Sequence, residues 1–329
     1  MNTIQEKIWL WLIGLIFITW TMVCHQPAFA EDGVRHSFKT ALLLPREVDA
    51  DGWTRSGYAG LLLIGKKLQS EIAYSENIPE PEFEQVFRRY AQDGFDFIIG
   101  HGGQFISAAE VAAKEFPRTK FAVVTKYSGN NRNLGALSLR EGEMGFLAGV
   151  VAAVKTKKQK IGFIGGVLYK VNRETISLFE QGVKHIDPNI TVFVDWNESW
   201  TDRERAMQLA RKQIQSGIDI LVVGAGKAGL AIHPIAQKAG VYTIGWIEDQ
   251  YNLAPGNVIT SIVQDIPQLL LQGATLARKG RWEGKQYKFG LREGVQYLAR
   301  FRGMLSPDQE KQVQTVLDDI ILRKINLTP

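Results

Sequence analysis

Cysteine is nearly absent from this 329-residue chain: the single one is Cys24. It lies inside an N-terminal apolar segment, so a mature chain starting after Ala30 has no thiol at all. Such a chain can form neither a disulfide nor a thiolate nucleophile. Histidine is also sparse, with five in all, and no His-Glu-x-x-His occurs. No other His-rich or Cys-rich cluster has the spacing of metal ligands, so no metal centre is expected. No Gly-x-Ser-x-Gly nucleophile motif is present. Charge of one sign is not concentrated either. The formal net charge is +5, yet the only short basic cluster is Lys155, Lys157, Lys158 and Lys160. A nucleic-acid binder carries a denser basic stripe, so that class is set aside. Past residue 30 there is no long apolar run, no tandem repeat and no low-complexity linker. With 45% hydrophobic and 22% charged residues the chain is an ordinary globular mixture, not a disordered chain, a collagen or a coiled coil.

The first thirty residues differ from the rest. Ile8 to Val23 is almost unbroken in its apolarity, Lys7 precedes it, and Ala28-Phe29-Ala30 follows. A short apolar core followed by small-x-small is the pattern of a cleaved secretory signal. Sixteen residues are short for a membrane span of about 20. The expectation is export to the periplasm with cleavage after Ala30. Lipidation at Cys24 is the alternative, disfavoured because Val23 is not small.

The remainder alternates strand and helix patterns. Strands are expected at Thr40–Leu44, Glu71–Tyr74, Phe95–Ile99 and Lys120–Val124, with an amphipathic helix over Glu82–Gln92 and a small-residue-rich helix over Gly142–Val154. A second run opens at Lys160-Ile161-Gly162-Phe163-Ile164-Gly165-Gly166 and ends in a helix over Pro307–Leu322. Such alternation predicts parallel sheets covered by helices, here as two doubly wound lobes. Ligands of such sheets lie outside the carboxyl ends of the strands. The glycine-rich and polar segments fall there: 50–54, 100–105, 165–166, 224–229 and 246–250.

Three features at these strand ends carry chemistry. His101, among glycines, is a candidate base, but without an accompanying nucleophile it reads better as a loop residue bonding ligand or backbone. Gly224-Ala225-Gly226-Lys227-Ala228-Gly229 matches Gly-x-Gly-x-x-Gly, with Glu248 about 20 residues on, as in a dinucleotide site. Its place as the third unit of its run, in an exported chain, favours tight strand-to-helix packing instead. Trp53 and Trp200 each lie in a loop after a strand, one in each run. Together they can clamp a flat ring, each stack being worth about 1–3 kcal/mol.

The order and spacing of these segments resemble the basic membrane protein (BMP) family of ABC-transporter solute-binding proteins, which includes purine nucleoside receptors. The resemblance rests on Gly94–Gly100, Phe116–Val124, Glu141–Gly149, Lys160–Gly166, Gln181–Val183, Gln215–Asp219, Val241–Gly245 and Asp249-Gln250. It implies an α/β type I periplasmic binding protein, with two doubly wound lobes, a hinge and an interlobe cleft. It would divide the chain into a signal peptide (1–30), an N-terminal lobe (37–142, plus part of 247–300 crossing back), a C-terminal lobe (143–246) and a tail helix (300–329). It places Trp53 and Trp200 where the family has stacking aromatics, and Thr54 where it has an asparagine. Two family residues are replaced: an aspartate that would grip ribose hydroxyls is Ile247, and a lysine is Gln264. A carboxylate accepts two bonds from a diol and isoleucine accepts none, which favours a free nucleobase or related flat heterocycle over a nucleoside. The expected ligand contacts are Trp53, Thr54, His101, Gly103, Gln104, Trp200, Gly226, Asp249 and Gln264. The expected protein is a monomeric, non-enzymatic receptor without cofactor, handing a small molecule to a membrane permease. The alternatives are a sensor of the same fold signalling to a membrane partner, or an exported NAD-dependent oxidoreductase using Gly224 to Gly229.

Overall fold

A computed structural model describes residues 37–327 apart from Asp51, Tyr169 and the side chains of 170–172. The expected signal segment, its cleavage site and Cys24 lie outside the described residues. Among the described residues no helix is long and apolar enough to cross a membrane.

The first run forms β1 (Lys39–Leu43), α1 (Gly52–Leu68), β2 (Glu71–Ser75), α2 (Phe83–Gln92), β3 (Phe97–Gly100), α3 (Ile106–Glu115), β4 (Lys120–Val124) and β5 (Leu134–Leu139). The chain then enters α4 (Glu141–Lys155), β6 (Lys160–Gly165), α5 (Lys170–Ile186), β7 (Thr191–Trp196), α6 (Arg203–Gln215), β8 (Ile220–Gly224), a single turn α7 (Gly226–Gly229), α8 (Ile232–Lys238), β9 (Tyr242–Ile247) and β10 (Val258–Gln264). It returns through α9 (Ile266–Arg278) and β11 (Gln286–Phe289), crosses again to β12 (Gln296–Leu298), and ends with α10 (Pro307–Ile321).

These strands build two six-stranded sheets, ordered β11-β5-β4-β3-β1-β2 and β12-β10-β9-β8-β6-β7. All named pairings are parallel except β10 with β12. The chain therefore passes between lobes three times, after β5, after β10 and after β11. The second sheet continues past residue 246, through β10 and β12, and the return into the first lobe runs over α9 and β11.

Both sheets are buried on both faces, which is why their strands read as continuous apolar runs. Along β1, Ala41 and Leu43 face a core with α2 and α3, while Leu42 and Leu44 face one with α1 and α9. In the second lobe, α4, α5 and α10 cover one face and α6 to α8 the other. Phe83, Val86, Phe87 and Tyr90 of α2 recur at helical spacing and all are buried. The small residues of α4 serve close helix packing. A Cβ on Gly145 or Gly149 would collide with α5 backbone carbonyls, and one on Gly182 with that of Phe146. Helix starts follow local chemistry: Asp202 and Asp265 accept from Arg205 N (3.0 Å) and Gln268 N (2.9 Å), and Ser306 with Gln309 forms a capping box.

Candidate functional site

Trp53 is expected in a loop but lies in the first turn of α1, which begins at Gly52, six residues before the apolar pattern at Tyr58. Ser56 Oγ donates to the Trp53 carbonyl at 2.7 Å within this turn. The indole lies on the imidazole of His101, with ring centroids 4.2 Å apart and planes inclined by 16°. His101 Nε2 donates to the same Trp53 carbonyl at 2.9 Å, and its backbone N–H donates to Leu43 O. His101 is fully buried, behind the tryptophan. Gly57 makes room for it, since a Cβ there would meet the imidazole. Trp53 remains 40% exposed. One aromatic face is held by the protein, and the residue keeps open surface for a ligand.

Trp200 has a matching arrangement in the second lobe. It follows β7 in a loop tied by Asn197, whose Nδ2 donates to the carbonyls of Ser199 (2.7 Å) and Asp202 (3.1 Å). Its ring lies against Gly166, where a Cβ would strike the indole, and Gly226 approaches its Cε3. Its carbonyl accepts from Ala228 N at 2.9 Å, and the residue is 41% exposed. The glycine-rich segment 224–229 thus seats an aromatic ring. The helix that opens there, α7, is a single turn of four residues, unlike the long helix at which a dinucleotide pyrophosphate sits.

The two tryptophan segments are linked across the lobes. Lys227 Nζ, beside Gly226, donates to Ala50 O, three residues before Trp53, at 2.9 Å. A second link runs from Lys126 Nζ, after β4, to Glu174 Oε2 of α5, also 2.9 Å. Carboxyl ends of both sheets therefore meet around one cleft.

The other expected contacts are placed as follows. Thr54 is fully buried in the first turn of α1, whereas Gly103 and Gln104 are exposed after β3. Asp249 is engaged by Arg302, whose Nη2 lies 2.6 Å from Oδ2, while the guanidinium also covers the Tyr251 ring at 4.4 Å. Gln264 Nε2 donates to Glu141 Oε2 at 3.0 Å. Gln250, next to Asp249, is structural: its Oε1 accepts from His233 Nε2 at 2.8 Å, and its Nε2 donates to Trp246 O. His233 Nδ1 then accepts from the Thr243 hydroxyl, and burial pushes its pKa down to about 4, so it stays neutral. Ile247, at the end of β9, is 43% exposed and has φ of +80°, a conformation that β-branched residues rarely adopt.

Several functional candidates carry no motif of their own. Lys227 is concealed inside a glycine pattern, and Glu141 reads as an ordinary acidic residue in a helix's first turn. Burial and the nearby Glu174 carboxylate raise the Glu141 pKa to about 7, with Lys126 and Gln264 opposing. A cavity of about 390 Å³ opens beside it at the lobe crossing, with Lys126, Glu174, Lys288 and Arg323 among its walls. The tryptophans do not line it. Among the described residues no group of three or more His, Cys, Asp or Glu is placed to hold a metal.

Two doubly wound lobes, three crossings and a cleft at opposed strand ends define a periplasmic-binding-protein fold, the class that closes on a solute. The chain belongs to the Bmp family, described as "ABC transporter substrate-binding protein PnrA-like", whose profile matches residues 38–328. It is 29% identical to Basic membrane protein A of Borreliella burgdorferi over 294 residues, covering 87% of this chain and 86% of that one. Among solved structures it is similar to a transcriptional activator of the comK gene from Bacillus halodurans, with TM-score 0.78 and 23% identity, covering 87% of this chain and 99% of that chain. It is also similar to an ABC-transporter solute-binding protein from Aeropyrum pernix K1, with TM-score 0.70 and 17% identity, covering 89% and 94%. The protein is accordingly a solute-binding receptor, not an enzyme, of the kind that delivers a small molecule to an ABC permease.

Proposed function

We propose that this receptor is exported, with its leader cleaved after Ala30, and stacks a flat heterocycle such as a nucleobase or nucleoside between Trp53 and Trp200. The observation that carries this reading is the shared design of the two residues. Each ring is backed on one side, by His101 or by Gly166 and Gly226, and each residue is about two-fifths exposed. Two stacks of about 1–3 kcal/mol each, with a few hydrogen bonds, reach micromolar affinity, about −8 kcal/mol. The test is mass spectrometry of small molecules released from the purified protein, followed by tryptophan-fluorescence titration. The expected ligand is a planar heterocycle whose affinity falls in both Trp53→Ala and Trp200→Ala. A released ligand indifferent to both substitutions overturns the clamp.

A second reading keeps the clamp and changes the recipient. The Bacillus halodurans structure belongs to a protein titled a transcriptional activator, so a sensing output is compatible with this fold. Uptake of the labelled ligand by cells with and without the gene separates the two, because a sensor leaves uptake unchanged.

A further inference from the structure

The cavity of about 390 Å³ at the lobe crossing lies well away from the tryptophans. Its first-lobe wall includes Lys288 of β11, the outermost strand of that sheet. β11 is four strand steps from β1, which leads to Trp53. At about 4.8 Å per step that is roughly 19 Å, beyond the reach of a ring held at the clamp. The volume falls within the range of small-molecule sites, about 300–1,000 Å³.

The second-lobe wall is built by the end of α10 and the tail that follows it. α10 closes in a Schellman turn, in which Arg323 N donates to Ile320 O and Lys324 N to Asp319 O. Arg292, from the crossing between β11 and β12, holds the same end by donating to Ile321 O at 2.7 Å. Beyond the turn Ile325 and Leu327 pack on the second-lobe core, and with Ile320 and Leu178 they give the cavity an apolar lining. Arg323 occupies the turn at φ +57°, where glycine is the usual residue. An arginine there is costlier for the backbone than glycine, and what it adds is a charged side chain on a residue of the cavity wall.

Four cations and three carboxylates line the cavity, a formal excess of one positive charge. The carboxylates are all engaged. Glu174 pairs with Lys126 at 2.9 Å, Glu143 accepts from Leu291 N at 3.0 Å beside Arg140, and Glu141 accepts from Gln264. Arg140 is in turn held by Glu293 at 2.7 Å. Lys288 and Arg323 are the cations left over: neither side chain has a hydrogen-bond or ion-pair partner among the described residues. A dianion would have to enter against three carboxylates. A single carboxylate on an aliphatic body matches the one excess charge, the arginine fork and the apolar lining together.

We propose that this cavity is a second binding site, for a monocarboxylate with a short aliphatic body, separate from the ligand at the tryptophans. Arg323 and Lys288 hold the carboxylate, and Leu178, Ile320, Ile325 and Leu327 enclose the aliphatic body. The assignment does not depend on the aromatic clamp.

The experiment is calorimetric titration of the full-length protein with octanoate, 1-octanol and inorganic phosphate, paired with thermal melts. Octanoate is expected to bind at one site and at least tenfold more tightly than either of the others, since octanol lacks the charge and phosphate lacks the body. Arg323→Gly and Lys288→Met are each expected to weaken octanoate binding roughly tenfold, the worth of one charge-assisted hydrogen bond. Arg323→Gly is not expected to lower the melting temperature, because glycine suits the turn, so its loss of binding is not a loss of fold. Equal binding of octanoate and octanol, phosphate binding as tight as that of octanoate, no octanoate binding, or unchanged octanoate affinity in both variants each overturns the site. None of these outcomes touches the tryptophan clamp.

Discussion

The indole of Trp53 rests on the imidazole of His101 at 4.2 Å, and the same imidazole donates through Nε2 to the Trp53 carbonyl. His101 thus fixes both the ring and the backbone of the residue in front of it. Its influence on a ligand is transmitted through Trp53. Trp53→Ala is expected to weaken ligand binding by about 1–3 kcal/mol, roughly 5- to 150-fold. His101→Ala, which removes a backing stack worth about 0.5–1.5 kcal/mol, is expected to weaken it roughly 2- to 10-fold. The double variant should bind no worse than Trp53→Ala alone, because the two act as one unit. Calorimetric titration of the four proteins checks this; full additivity would place His101 in direct contact with the ligand.

Trp200 depends on glycine in the same way that Trp53 depends on histidine. A Cβ at Gly166 has no space against the indole. Gly166→Ala is therefore expected to displace the ring and lower affinity about tenfold, close to the effect of Trp200→Ala. Overpacking at a single methyl costs about 1–3 kcal/mol, so the variant remains folded by circular dichroism while its ligand-induced quenching is lost.

The Lys227 bridge to Ala50 joins the lobes directly beside the clamp. It exists only where those two segments approach, so it favours the closed arrangement. Its net value is that of one hydrogen bond, about 0.5–1.5 kcal/mol. Lys227→Met is expected to speed ligand dissociation roughly 2- to 10-fold and to leave the association rate nearly unchanged, as read by stopped-flow fluorescence. A fall in association rate with constant dissociation would instead assign Lys227 to electrostatic steering.

Most of the scaffold was legible in the sequence, for physical reasons that particular residues make plain. Lys120–Val124 is apolar, β-branched and buried on both faces, and it forms β4 as expected. Two strands carried no such signal. β5, Leu-Gly-Ala-Leu-Ser-Leu, is diluted by small residues, and β12 is a three-residue edge paired only through β10. Both adjoin the lobe crossing, so the hinge was less visible than the lobes. The start of α1 was also hidden, because Gly52, Trp53 and Thr54 lack helical apolar spacing and are ordered by tertiary contacts with His101. At the site, the tryptophans announced themselves as large rings at strand ends. Glu141 and Lys227 did not, because their importance lies in partners 123 and 177 residues away in the chain.

Two titratable groups, the buried His233 and the half-buried Glu141, act on stability in opposite directions. His233 has a folded pKa of about 4, lowered by burial from 6.5. Its contribution is complete above pH 6.5 and is lost as pH falls towards 4, because the unfolded chain takes up the proton first. At about 1.4 kcal/mol per unit, that loss is about 3 kcal/mol. Glu141 has its pKa raised from 4.5 to about 7 by burial and by Glu174. Its contribution is complete below pH 4.5 and declines as pH rises towards 7. Across pH 4.5–6.5 the two slopes oppose each other, so the pair leaves the wild-type denaturation midpoint nearly flat there. Glu141→Gln removes one slope. Its unfolding free energy in urea is expected to rise with pH over that window more steeply than that of the wild type, with His233 now uncompensated. Equal slopes for the two proteins would mean that Glu141 is ionised throughout and that the hinge is wetter than its packing implies.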